Sequence, residues 1–167
     1  MMLPGRRLYR FAVLLMIAAL LTSCGLLWGR PKSNTTSDGY LGLTLWVSRS
    51  LPKVGQPVQI RHTVKNPTDH TEVIQLEEKQ EPVMDIRIHF GPLGGTTTLY
   101  WSDGREITPE MRRLELAPGQ SKTIEMTWVP DKRATNEIVW VSGMLNREQR
   151  SQHVPIDICV GSCYLGY

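Results

Sequence analysis

From Leu41 onward, apolar residues return at every second position, and this period narrows the chain to one kind of architecture. The segment "LGLTLWV" sets Leu41, Leu43, Leu45 and Val47 on one face. "PVQIRHTVKN" turns Val58, Ile60 and Val64 inward, with Gln59, Arg61 and Thr63 outward and His62 on the inward phase. "VMDIRIHF" alternates Met84, Ile86, Ile88 and Phe90 with Asp85, Arg87 and His89. "KTIEMTWV" sets Ile124, Met126 and Trp128 against Glu125 and Thr127, and "HVPIDICV" aligns Val154, Ile156, Ile158 and Val160. Successive strand side chains point to opposite faces, so each segment reads as a strand with one face in a core and one in water.

Turn residues separate these strands: "LPKVGQP", "NPTDHT", "GPLGG", "SDG", "APGQ" and "VPDKR". Punctuation of this kind between short alternating segments predicts an all-β, immunoglobulin-like antiparallel sandwich of about seven to nine strands over residues 40–167. Only "TPEMRRLE" reads as helix-like. Trp128, in phase with Ile124 and Met126, is expected in the core, as is Trp140 if its face is inward. Asn66 is placed to cap its own turn, and Pro118-Gly119 to form a type II turn.

The first thirty residues follow a different logic. Arg6, Arg7 and Arg10 precede an apolar run from Phe11 to Leu21. Eleven residues are too few to span a hydrocarbon core, which needs about 20 at helical rise. A basic start, a short apolar run and small residues predict an export signal over 1–23. Its end, Leu21-Thr22-Ser23-Cys24, resembles the bacterial lipobox. That resemblance implies cleavage between Ser23 and Cys24, a diacylglyceryl group and a further N-acyl chain on Cys24, and an anchor on the extracytoplasmic face of a cell membrane or outer membrane. Residues 24–39 then read as a flexible tether, with Leu26, Leu27 and Trp28 near lipid headgroups and Arg30 and Lys32 at the phosphates.

The whole chain has 19 basic and 16 acidic residues, and loss of the three N-terminal arginines would leave the two signs equal. Nucleic acid is therefore not an expected partner. No phosphate loop, nucleophile elbow, His-Glu-x-x-His or Cys-x-x-Cys is present, so an enzyme is not expected.

The middle of the chain carries a second resemblance. "VGQPVQIRHTVKNPTDHTEVIQL", "DIRI" at Asp85–Ile88, Trp101-Ser102 and "LELAPGQSKTIEMTW" from Leu114 to Trp128 together are similar to the BsuPI-like intracellular proteinase inhibitor domain, over roughly residues 41–130. The resemblance implies a sandwich fold and a proteinase partner. Inhibition would need an exposed, rigid loop, and "GPLGGTTT" and "SDGREITPEM" are the candidates by position.

Two cysteines remain, Cys159 and Cys163. A disulfide needs Cα atoms about 4.4–6.8 Å apart, whereas four extended residues span roughly 13 Å, so the pair requires a tight turn, which Gly161-Ser162 permits. Free thiols are an alternative. So is a copper site using Cys159, Cys163 and His153, since Cys-x₃-Cys is also the spacing of the oxidase copper loop and thiolates suit Cu(I). The four histidines, His62, His70, His89 and His153, show no metal-binding spacing, and each reads first as structural.

Three functions follow in order. The first is a non-catalytic, membrane-anchored module binding an unidentified envelope or extracellular protein. The second is a proteinase inhibitor displayed outside the membrane, and the third a copper-handling lipoprotein.

Overall fold

The computed structural model describes residues 29–91 and 96–163. The export signal, the Ser23–Cys24 cleavage position and Cys24 itself lie outside the described residues, as does the "PLGG" centre of one candidate loop. The described chain is all-β and antiparallel. Its ten strands are β1 Lys32–Ser37, β2 Gly42–Val47, β3 Val58–Lys65, β4 Glu72–Gln75, β5 Met84–Phe90, β6 Thr97–Tyr100, β7 Arg113–Leu116, β8 Ser121–Trp128, β9 Ile138–Leu145 and β10 Gln152–Cys159. Beside them stands a single 3₁₀ turn, Lys132–Ala134. One sheet has the order β1-β2-β3-β8, the second β10-β9-β5-β6, and β4 pairs with β7 in a short separate ladder.

The two sheets face each other across the apolar phase expected from the alternation. Leu43, Leu45, Val47, Val58, Ile60 and Val64 come from the first sheet and Ile86, Ile88, Phe90, Val154, Ile156 and Ile158 from the second, all fully or almost fully buried. Phe90 and Trp128 bridge the sheets with ring centroids 5.7 Å apart and tilted, a geometry aromatic quadrupoles favour. Met126, expected on the inward face of β8, sits at the margin, half-buried.

Two buried polar side chains, His62 and Asn66, link the strands around them. His62 is fully buried, with Nδ1 3.3 Å from the Thr44 carbonyl of β2 and Nε2 3.2 Å from the Met144 carbonyl of β9. It thus spans the two sheets, and Gly143 is the residue that leaves room for its ring. Asn66 caps its turn as expected, accepting from the Thr68 backbone N–H at 2.9 Å, and also donates to the Leu116 carbonyl of β7. Gly119 takes φ +74°, and the Gln120 N–H donates to the Ala117 carbonyl at 3.0 Å, as a type II turn requires.

Four readings of the sequence change. Residues Lys32–Ser37, expected within a flexible tether, form β1. This strand buries almost nothing. It is held by its ladder to β2 and by side chains that reach β10: Asn34 Nδ2 donates to the Pro155 carbonyl at 2.7 Å and Lys32 Nζ to the Asp157 carbonyl at 3.0 Å. Trp140 is not core but 45% exposed, because Val139 and Val141 take the inward phase of β9. Asp85 sits on the outward phase of β5 and yet is buried, since the segment after β6 folds over it. "TPEMRRLE" forms no helix; Met111 and Arg112 N–H groups close a single turn on Thr108, and the chain then enters β7.

Cys159 and Cys163 are disulfide-bonded, with Cα atoms 5.8 Å apart. Gly161, at φ +80°, supplies the turn, and the Ser162 N–H donates to Asn136 Oδ1. Because the bridged loop is short, Cys163→Ser should cost no more than about 2 kcal/mol, read as a small fall in the urea midpoint with unchanged slope.

Candidate functional site

Ile86 of β5 and Val83 just before that strand tie down the two ends of an exposed loop. At its start, the Trp101 N–H donates to the Ile86 carbonyl at 2.9 Å; at its end, the Met111 carbonyl accepts from the Val83 N–H at 2.8 Å. Residues 101–111 therefore leave and rejoin the sandwich within four positions of one strand and its approach, the closed outline of an Ω-like loop. The gap beneath, between Val83, Trp101, Met111, Leu114 and Ile124, is about 30 Å³, so the base of the loop is packed.

Asp85 is the polar part of this anchor. Its Oδ2 accepts the Ser102 hydroxyl at 2.6 Å, and its Oδ1 accepts the N–H groups of Ser102 at 3.2 Å and of Ile86 at 2.8 Å. Burial pushes the carboxyl above its ordinary range; the three hydrogen bonds oppose this and the charge of Asp103 adds to it. Within the loop, Asp103 Oδ2 accepts the Tyr100 N–H at 2.7 Å, and Gly104 adopts φ +72°. Arg105 folds back, its Nε donating to the Trp101 carbonyl at 2.8 Å and its guanidinium lying 4.5 Å from the Trp101 ring centroid. Asp103, Gly104, Arg105 and Glu106 remain exposed at the crest. Arg105 also borders an open groove of about 390 Å³ whose other walls are Gln59, Ile60, Trp101, Glu125, Met126 and Thr127.

"DIRI" and Trp101-Ser102, read separately in the sequence, thus meet through the Asp85–Ser102 bond. Of the two candidate loops, "SDGREITPEM" is held at both ends; the centre of "GPLGGTTT" lies outside the described residues. Alternation alone gave no sign that Asp85 is buried, and only its place in a family-like motif marked it.

The copper arrangement does not assemble. Cys159 and Cys163 are bonded to each other, and His153 stands six strand residues from Cys159, roughly 20 Å at strand rise. Among the described residues, no group of three or more His, Cys, Asp or Glu side chains is placed to hold a metal. His89 contacts Thr98 and Trp140, not Asp85. His70 lies in an exposed turn between Asp69 and Glu72, whose carboxylates raise its pKa.

Comparison with known families decides the membership. The model for BsuPI, the intracellular proteinase inhibitor, matches residues 45–142, more than half of the chain and all of the Asp85-anchored loop. The chain belongs to the BsuPI family.

This finding corrects the expected location. BsuPI is described as an intracellular inhibitor, which points to the cytoplasm and not to a lipid-anchored site on the extracytoplasmic face. It also reverses the order of the first two functional readings, favouring the proteinase inhibitor over a binding module without a stated target. No curated protein matches the chain. Among solved structures, the BsuPI chain is similar to the sporulation control protein Spo0M of Bacillus subtilis, at 13% identity and TM-score 0.43 over 80% of this chain and 50% of that one. It is also similar to a Paenibacillus cycloisomaltooligosaccharide glucanotransferase, at 13% identity and TM-score 0.42 over 81% of this chain and 14% of the enzyme. A β-glucosidase from Listeria innocua aligns at 13% identity and TM-score 0.39, over 82% of this chain and 17% of the enzyme. The BsuPI chain thus spans half or less of the length of these three proteins.

Proposed function

We propose that this protein inhibits a proteinase by presenting the 102–111 loop to it, without catalytic chemistry of its own. The observation that supports this reading is the combination of a fixed base and an open crest. Binding costs conformational entropy for every segment ordered on contact, and a loop already pinned at Val83, Asp85 and Ile86 avoids most of that cost. The crest offers Arg105 above a partly apolar groove, a residue type that often carries binding energy when desolvated.

The test is a titration of purified serine, cysteine and metalloproteinases with the protein, following cleavage of a fluorogenic substrate. Saturable inhibition of one class is expected. Arg105→Glu should then weaken it about 30-fold, the effect of a contact of about 2 kcal/mol, while lowering the melting temperature by only a few degrees as its exposed contacts to Trp101 are lost. Absence of inhibition in all three classes would defeat the reading, and inhibition insensitive to Arg105→Glu would move the contact away from this loop.

A further inference from the structure

The outer face of the second sheet carries an aromatic and cationic cluster that neither the core nor the loop uses. Its registers set two rows side by side: Asp157–Trp140–His89–Thr98 and Pro155–Ser142–Arg87–Tyr100. Trp140 is 45% exposed although it stands on an inner strand, and Tyr100 is 36% exposed. The surface around them is ordered: the His89 and Trp140 rings lie 5.9 Å apart, and His89 Nδ1 is 2.9 Å from the Thr98 hydroxyl.

Arg87 lies among these rings with its charge unanswered. Its Nε is buried and has no hydrogen-bond acceptor, and its guanidinium makes no ion pair among the described residues. The nearest carboxylate along β5, Asp85, is turned to Ser102 and the Ile86 N–H. Asp157 belongs to the neighbouring row, two strands away, roughly 10 Å at ordinary strand spacing. Burial, and then the charge of Arg87, lower the pKa of nearby His153, so His153 adds no competing cation at neutral pH.

We infer that this face docks a protein partner that presents an Asp or Glu carboxylate to Arg87 beside an apolar side chain that covers Trp140. A carboxylate is the acceptor that fits a guanidinium, here through its two terminal nitrogens, since Nε is buried. Flanking aromatics exclude water from such a pair, which is how arginine and tryptophan come to dominate interfaces. Nucleic acid or an anionic membrane would call for a stripe of cations, and this face offers one arginine. The inference does not depend on the inhibitor reading, since the Arg87 and Trp140 side chains neither anchor the 101–111 loop nor stand at its crest.

The test uses the full chain and two capped peptides, one alternating leucine with glutamate and one alternating leucine with lysine. The Trp140 indole N–H signal, assigned through Trp140→Phe, is followed by NMR. A saturable shift with the glutamate peptide is expected, with a Kd up to about 1 mM for one ion pair and an apolar contact. Arg87→Gln should weaken that binding at least tenfold, and Arg87→Lys should restore part of it. Circular dichroism checks that each variant remains folded. No saturable shift, equal binding of the lysine peptide, or undiminished binding by Arg87→Gln would each overturn the proposal. So would a shift that grows with protein concentration alone, which would assign the face to a second copy of the chain.

Discussion

Replacing Gly143 with alanine is expected to destabilise the fold by about 3 kcal/mol, the upper end of what overpacking costs. A Cβ on Gly143 would lie 2.4 Å from His62 Nδ1 and 2.7 Å from its Cγ. The ring has no room to yield, because it is fully buried between the two sheets with a carbonyl facing each nitrogen, and the neutral ring's single N–H donates to one of them. Urea unfolding measures the loss. Adding His62→Ala should cost less in the Gly143→Ala background than in the wild type, because the clash is then absent; strict additivity would show that the two sites do not touch. The same ring sets a pH dependence. Burial lowers the His62 pKa from 6.5 to about 4, against its two hydrogen bonds. A group depressed in the folded state contributes stability that is complete above pH 6.5 and is lost as pH falls toward 4. The interval corresponds to about 3 kcal/mol, and His62→Asn should flatten that part of the curve.

The second large effect concerns the loop. Asp85→Ala would strip the acceptor from the Ser102 hydroxyl and backbone N–H, each left to find another partner at a cost of about 1–3 kcal/mol. If the loop is the contact, inhibition should weaken at least tenfold, more than the fall in stability accounts for, because loop order must then be recovered on binding. Asp85→Asn keeps an acceptor and should recover most of the inhibition. Its pH behaviour opposes that of His62. With its pKa raised by burial, Asp85 contributes stability that is full below the ordinary carboxylate range and is lost as pH rises through its raised value. Equal inhibition by wild type and Asp85→Ala would show that anchoring does not matter.

The strands with strict alternation were legible because burial on one face imposes a period of two, and that pattern is local. β1 was not, since "KSNTTS" has no apolar phase and owes its place to β2 and to carbonyls more than a hundred residues away in β10. Trp140 misled for a related reason: hydrophobicity argues for burial, but its neighbours Val139 and Val141 had already claimed the inward side. Asp85 shows the limit most clearly. Its position on the strand is outward, and only a contact with Ser102, seventeen residues on, buries it. The candidate loop was visible as a position; its rigidity was not, because rigidity resides in that contact and in the bonds to Val83 and Ile86.

The side chains of Lys32 and Asn34 have a consequence for how this domain can be cut. A fragment starting near residue 40, where the sequence alone suggests a boundary, would lack them. Bare main chain would then be left along β2, and the Pro155 and Asp157 carbonyls of β10 would be uncovered. Two open sheet borders side by side invite other copies to add on, so such a fragment would precipitate or form filaments where the longer chain stays dispersed. The short polar strand that contributes nothing to the core is the domain's guard against its own neighbours.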